Sequence, residues 1–136
     1  MVGRQALIAV LLGAAAGLAA CGARDFHVSG TITLASSMRA HVPKENAVMF
    51  IVAKNLGGVP LAVKRIVNPQ FPVEYTLGPE DLVVPGTRPK DALKIEVEMN
   101  THGDVGRPTR GDLAGFHSDP VYDGERRVHI VIDRQL

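Results

Sequence analysis

Leu93-Lys94-Ile95-Glu96-Val97-Glu98-Met99 alternates apolar and charged residues without a slip. A period of two puts the four apolar side chains on one face of an extended strand and the three charged ones on the other. The same period recurs on both sides of this stretch. Val28, Gly30, Ile32 and Leu34 alternate with Ser29, Thr31 and Thr33, and Val128, Ile130 and Ile132 share one face of Arg127–Asp133. Phe71, Val73, Tyr75 and Leu77 alternate with Pro72, Glu74 and Thr76, and Pro72 restricts that stretch to a sheet edge or a strand start. Ala47–Lys54 (AVMFIVAK) is a nearly continuous apolar run, the pattern of a central strand covered on both sides. Leu61–Val67 and a short stretch at Leu113–Phe116 supply two more strands. Turn signals separate them: Val42-Pro43-Lys44, the Gly57-Gly58 pair within Asn55–Pro60, Gly78-Pro79, Pro85–Pro89, and a polar stretch from Asn100 to Gly111. No window outside the N-terminal segment sustains a 3.6-residue period. Ser36–Ala40 and Pro79–Leu82 have room for a single helical turn each. About seven short strands at this spacing predict an all-β domain, a β-sandwich over residues 27–136.

Composition narrows the function. At 136 residues the chain holds one domain, and 46% hydrophobic against 21% charged residues is the balance of a folded one. Aromatics make up 4% with no Trp, which leaves little to stack on nucleic-acid bases. A net charge of +1, without any block of like charges, argues against nucleic acid or an anionic surface as a charge-driven partner. The single Cys excludes an internal disulfide and any CxxC metal or redox motif.

Residues 1–20 read as a signal peptide. Arg4 gives a positive start, and Ala6–Ala20 form an uncharged apolar run shorter than the roughly 20 residues a membrane span needs. The run ends Leu18-Ala19-Ala20-Cys21-Gly22, which resembles the lipobox of bacterial lipoproteins. That resemblance implies cleavage before Cys21, a diacylglyceryl thioether on its sulfur and an acyl chain on its new amino group. Residues 21–26 would then be the lipidated N-terminus and a short tether holding the domain close to a membrane. Gly22, where an Asp would retain the protein at the inner membrane by analogy with enterobacterial sorting, leans toward the outer membrane. Removing residues 1–20 leaves 14 basic and 14 acidic side chains, an electrically balanced domain.

A second resemblance spans the domain. VSGTITL at Val28–Leu34, then VMFIVAKNLGGVPLAVKRI at Val48–Ile66, resembles the C-terminal Ig-like domain of the cytochrome c-type biogenesis family, the apocytochrome c chaperone of bacterial cytochrome c maturation. The matching residues are Phe50, Val52, Ala53 and Lys54, then Pro60, Leu61, Ala62, Val63 and Arg65. FPVEYTLGPED at Phe71–Asp81, Gly111-Asp112-Leu113 with Gly115, and the terminal Val128–Arg134 continue the likeness in order and spacing. The resemblance implies an Ig-like β-sandwich and a protein partner such as an apocytochrome c or a maturation subunit. In the family, two membrane helices and a tetratricopeptide-repeat region precede this domain, and here a lipoprotein signal stands in that place. The stretch before Gly111, Glu98–Gly106, also departs from the family's usual A-R-(I/V)-S-x-S-G-x-A.

Other chemistry finds little support. Five His, with Met38, Met49 and Met99, raise a copper reading, because imidazole and thioether suit that metal. The candidates are His102 and His117 in the loops flanking Gly111, with His27, His41 and Met38 near the start, but no two lie at a ligand spacing. Met49 and Met99 fall at strand positions typical of core filler. No metal site and no cofactor are expected. There is no G-x-S-x-G elbow and no free Cys nucleophile, and Glu96 and Glu98 read as one solvated strand face, so no catalytic residue is assigned. Arg110-Gly111-Asp112 spells an integrin tripeptide, but Gly111-Asp112-Leu113 belongs to the family likeness. The loops Asn100–Phe116 and Asn55–Pro60 are either binding surfaces or purely structural connections. These observations describe a membrane-anchored, non-enzymatic protein-interaction module facing the periplasm, with no small-molecule substrate. The alternatives are a periplasmic copper-binding lipoprotein and a purely structural envelope domain.

Overall fold

The computed structural model describes residues 24–136, so the signal peptide and Cys21 lie outside the described residues. Seven strands form: β1 (Val28–Leu34), β2 (Val48–Asn55), β3 (Pro60–Val67), β4 (Val73–Leu77), β5 (Leu93–Asn100), β6 (Leu113–Phe116) and β7 (Ile130–Gln135). Two 3-10 turns, Ser36–His41 and Pro79–Asp81, are the helical content among the described residues, at the two places where the sequence leaves room for one. No helix of the described residues is long and apolar enough to cross a membrane.

The domain is all-β and Ig-like, and hydrogen bonding runs through all seven strands in the order β3-β2-β5-β6-β7-β1-β4. The layers of the sandwich are therefore joined. β1 pairs antiparallel with β4 from Val28 to Ile32, then parallel with β7 from Ile32 to Leu34, so Ile32 belongs to both ladders. At the other margin the chain just beyond β4 returns to β3: Ala62 bridges Leu82, and Val83 N–H donates to Leu61 O at 2.9 Å. Lys64, which faces inward from the edge strand β3, meets Asp81 of the second 3-10 turn at 3.2 Å. An inward-facing charge is a known way of blunting an edge strand against aggregation.

The core follows the period of two. Met49, Ile51 and Ala53 of β2 share one enclosed face with Ile95, Val97 and Met99 of β5, Leu113 of β6, Ile130 and Ile132 of β7, and Val28 and Ile32 of β1. Ile95 and Val97 are completely buried, as the opening alternation requires. β4 adds Val73, Tyr75 and Leu77, and it begins directly after Pro72, whose bond to Phe71 is cis.

β2 is an interior strand between β3 and β5, buried from Val48 to Ala53 as its apolar run predicts, and its outer row (Val48, Phe50 and Val52) forms a small cluster with Val63. One boundary differs from the sequence reading. β7 begins at Ile130, not Arg127. Before it, the backbone of Val128 presses against Gly30, where a Cβ would sit 2.0 Å from Val128 O. Val128 N–H donates to Ser29 O, and the His129 ring accepts from Thr31 N–H at 3.1 Å, so a side chain stands where a ladder bond would otherwise form.

Candidate functional site

Register assembles a mixed apolar and charged surface on the outer face. One row reads across β3, β2, β5 and β6 as Val63, Val52, Glu96, Phe116. The next reads Arg65, Phe50, Glu98, Ala114 and, on β7, Arg134. Each residue sits here because its neighbours in sequence point into the core. The Arg134 guanidinium lies over the Phe116 ring at 4.5 Å, a cation–π contact that ties the two rows together. Lys54 Nζ meets Glu96 Oε2 at 2.5 Å, and Glu98 Oε2 accepts from Gly106 N–H at 3.2 Å. Phe116 remains 49% exposed, so a large ring stands in water between two shallow grooves. One groove is bounded by Leu56, Lys94, His117 and Pro120, the other by Val97, Gly115 and Leu136. An exposed aromatic under an Arg, flanked by paired charges, has the composition of a protein-recognition surface.

Comparison with known proteins places this scaffold. The family model described as the cytochrome c-type biogenesis protein H Ig-like domain matches residues 28–133. The chain belongs to this family. An uncharacterized protein of Aquifex aeolicus (strain VF5) is 28% identical over 109 residues, covering 79% of this chain and 71% of that protein. No solved structure matches. The family is one of cytochrome c-type biogenesis, and its Ig-like domain supports a protein-interaction module.

The biogenesis-type domain holds its histidines apart. His102 follows β5 and His117 follows β6, at opposite ends of the sheet, and among the described residues no three His, Cys, Asp or Glu side chains gather where a metal could be held. His102 uses both ring nitrogens. Nδ1 accepts from Asp104 N–H at 3.2 Å, so the proton lies on Nε2, which donates to Asp112 Oδ2 at 2.8 Å. Asp112 is buried. Burial works against its charge, but bonds from His102, from Thr109 N–H and from the Thr109 hydroxyl prevail and hold the carboxyl below the usual Asp range. This network, with Asn100 bonded to Gly103 N–H and Asp104 O, braces the long β5–β6 loop. His117 Nδ1 donates to His129 O at 2.8 Å, leaving Nε2 for the groove beside Phe116.

His27 Nε2 pairs with Ser29 Oγ, and His41 is exposed in the first 3-10 turn. Met38 packs against the core rim, while Met49 and Met99 are core residues. Phe116 ends the Asn100–Phe116 segment offered as a binding surface or a structural connection, but the sequence reading did not single it out. The signal was present, because alternation in Leu113–Phe116 turns Phe116 away from the face of Leu113, and a Phe on the water side of a strand is unusual.

Proposed function

We propose that this protein is a lipid-anchored module of the bacterial cell envelope. Cys21 holds it at the periplasmic surface of a membrane, outer rather than inner on the residue Gly22, and its outer sheet face binds a protein of cytochrome c maturation: an apocytochrome c or a maturation subunit. Membership of the biogenesis family over residues 28–133 carries the reading. The exposed Phe116–Arg134 pair supplies the contact, since an aromatic and an Arg are the residue types that dominate binding energy at protein interfaces. The module acts by holding, with no bond made or broken.

The test is affinity capture from native membranes with an antibody to the domain, comparing the wild type with Phe116→Glu. Enrichment of c-type cytochromes or their maturation subunits, lost on substitution, is the expected result. Identical captured sets lacking every such protein would overturn the proposal. The anchor is checked separately: Cys21→Ala should move the protein from the membrane to the soluble fraction, and retention would refute lipidation.

A further inference from the structure

The end of the sandwich at which β1 begins differs from the other end. β2, β4 and β6 finish there and β3, β5 and β7 start there, so it carries the β2–β3, β4–β5 and β6–β7 loops. Five of the ten large apolar side chains left exposed among the described residues sit on these loops: Leu56, Val59, Val83, Val84 and Tyr122, each more than half exposed. Nothing in the fold requires them to be apolar, because they lie outside the core and outside every ladder. Beside them Arg88 is bound to Asp123, and Asp123 also accepts from His27 N–H at 3.0 Å. That second bond fixes the incoming chain to the same end.

We infer that this end is a membrane-contacting surface, its apolar loop tips seated in the lipid headgroup region of the bilayer that holds the anchor. The inference rests on the Cys21 anchoring proposed above. Phe26 is buried, and five residues after Cys21 reach no further than about 18 Å even when fully extended. The headgroup zone on one side of a bilayer is itself roughly 5–8 Å deep. A globular partner has no room between the loops and the lipid, which leaves the lipid surface as the occupant. Tyr122 suits that depth, with an apolar ring and a hydroxyl that stays in the wet layer. The end carries no excess of basic residues, so the contact depends on apolar area rather than on anionic lipid. It also turns the Phe116 face sideways, open to a partner arriving along the membrane.

The test uses the full lipidated chain in vesicles of phosphatidylethanolamine and phosphatidylglycerol, three to one. With Cys21 occupied by lipid, Val84→Cys, Val59→Cys and, at the far end, Val105→Cys each offer one thiol for a bimane label. A nitroxide-bearing lipid should quench the labels at 84 and 59 several-fold more than the label at 105. The double variant Val83→Asp/Val84→Asp should remove the quenching at 59 while the protein still floats with the vesicles. Floating protein with equal, weak quenching at all three positions would overturn the inference and leave the anchor standing. Failure to float would refute the anchor and the inference together.

Discussion

Tyr75→Phe removes one oxygen and tests the joint between the layers. Tyr75 on β4 is buried opposite Gly30 of β1, and its hydroxyl donates to Val128 O at 2.7 Å. Val128 is itself buried, so its carbonyl has no water to turn to when the phenol goes. Leaving a buried acceptor unpaired costs about 1–3 kcal/mol. A loss of about 1.5 kcal/mol lowers Tm by roughly 6 °C in a domain of this size, at about 4 °C per kcal/mol. Alkali reverses the comparison. Burial pushes the Tyr75 phenol well above its ordinary range, so the fold favours the neutral form. That contribution is complete below the free phenol value of about 10 and is lost as pH rises, at about 1.4 kcal/mol for each unit above it. The variant has no such phenol, and the gap between the two proteins should close near pH 11. Urea melts of both full chains from pH 7 to 11 read this directly. Equal stability at pH 7, or a gap that does not change with pH, would refute the joint.

Two further substitutions probe the core and the brace. Ile95→Asp puts a carboxylate among completely buried side chains with no partner, and should cost more than about 3 kcal/mol and abolish native near-ultraviolet dichroism; a folded variant melting near the wild-type temperature would mean that Ile95 faces water. The folded state depresses the Asp112 carboxyl, so its contribution is present above the free Asp value of about 4 and is lost as pH falls below it. Asp112→Asn should therefore flatten the acid limb of the stability profile and speed hydrogen exchange at the Thr109 amide, whereas an unchanged exchange rate would separate Asp112 from the brace.

The strands were legible because burial on one face writes itself as alternation. Leu93–Met99 is buried as its pattern demands, and Pro72 lies just where an edge strand begins. The start of β7 was hidden, because Arg127–Val128–His129 keeps the alternation while its backbone follows Gly30 rather than a ladder. The apolar run of β2 likewise recorded burial on both faces, though not what causes it. The likeness at Gly111-Asp112-Leu113 located Asp112 but not its task, which depends on His102 ten residues away meeting it across a loop. Phe116, Leu56 and Val59 fall within the Asn100–Phe116 and Asn55–Pro60 segments named from the sequence, whereas Val83, Val84 and Tyr122 sit on loops whose exposure only the fold reveals.

β1 lies inside the sheet order, between β4 and β7, and so joins the first and last stretches of the domain. Thr31 and His129, which touch there, are 98 positions apart. Closing a loop of that length costs on the order of 4 kcal/mol of chain entropy before any ladder bond compensates. A growing polypeptide can assemble β2, β3 and β5 as neighbours early, but β1 and β4 then meet them through the Ala62–Leu82 bridge, the Lys64–Asp81 pair and core packing rather than through a ladder. The sheet becomes continuous when the final residues arrive, and a chain cut before Ile130 would divide the strand order into two groups, β3-β2-β5-β6 and β1-β4, with no ladder between them. Such a topology completes its sheet late, once synthesis has reached its last strand.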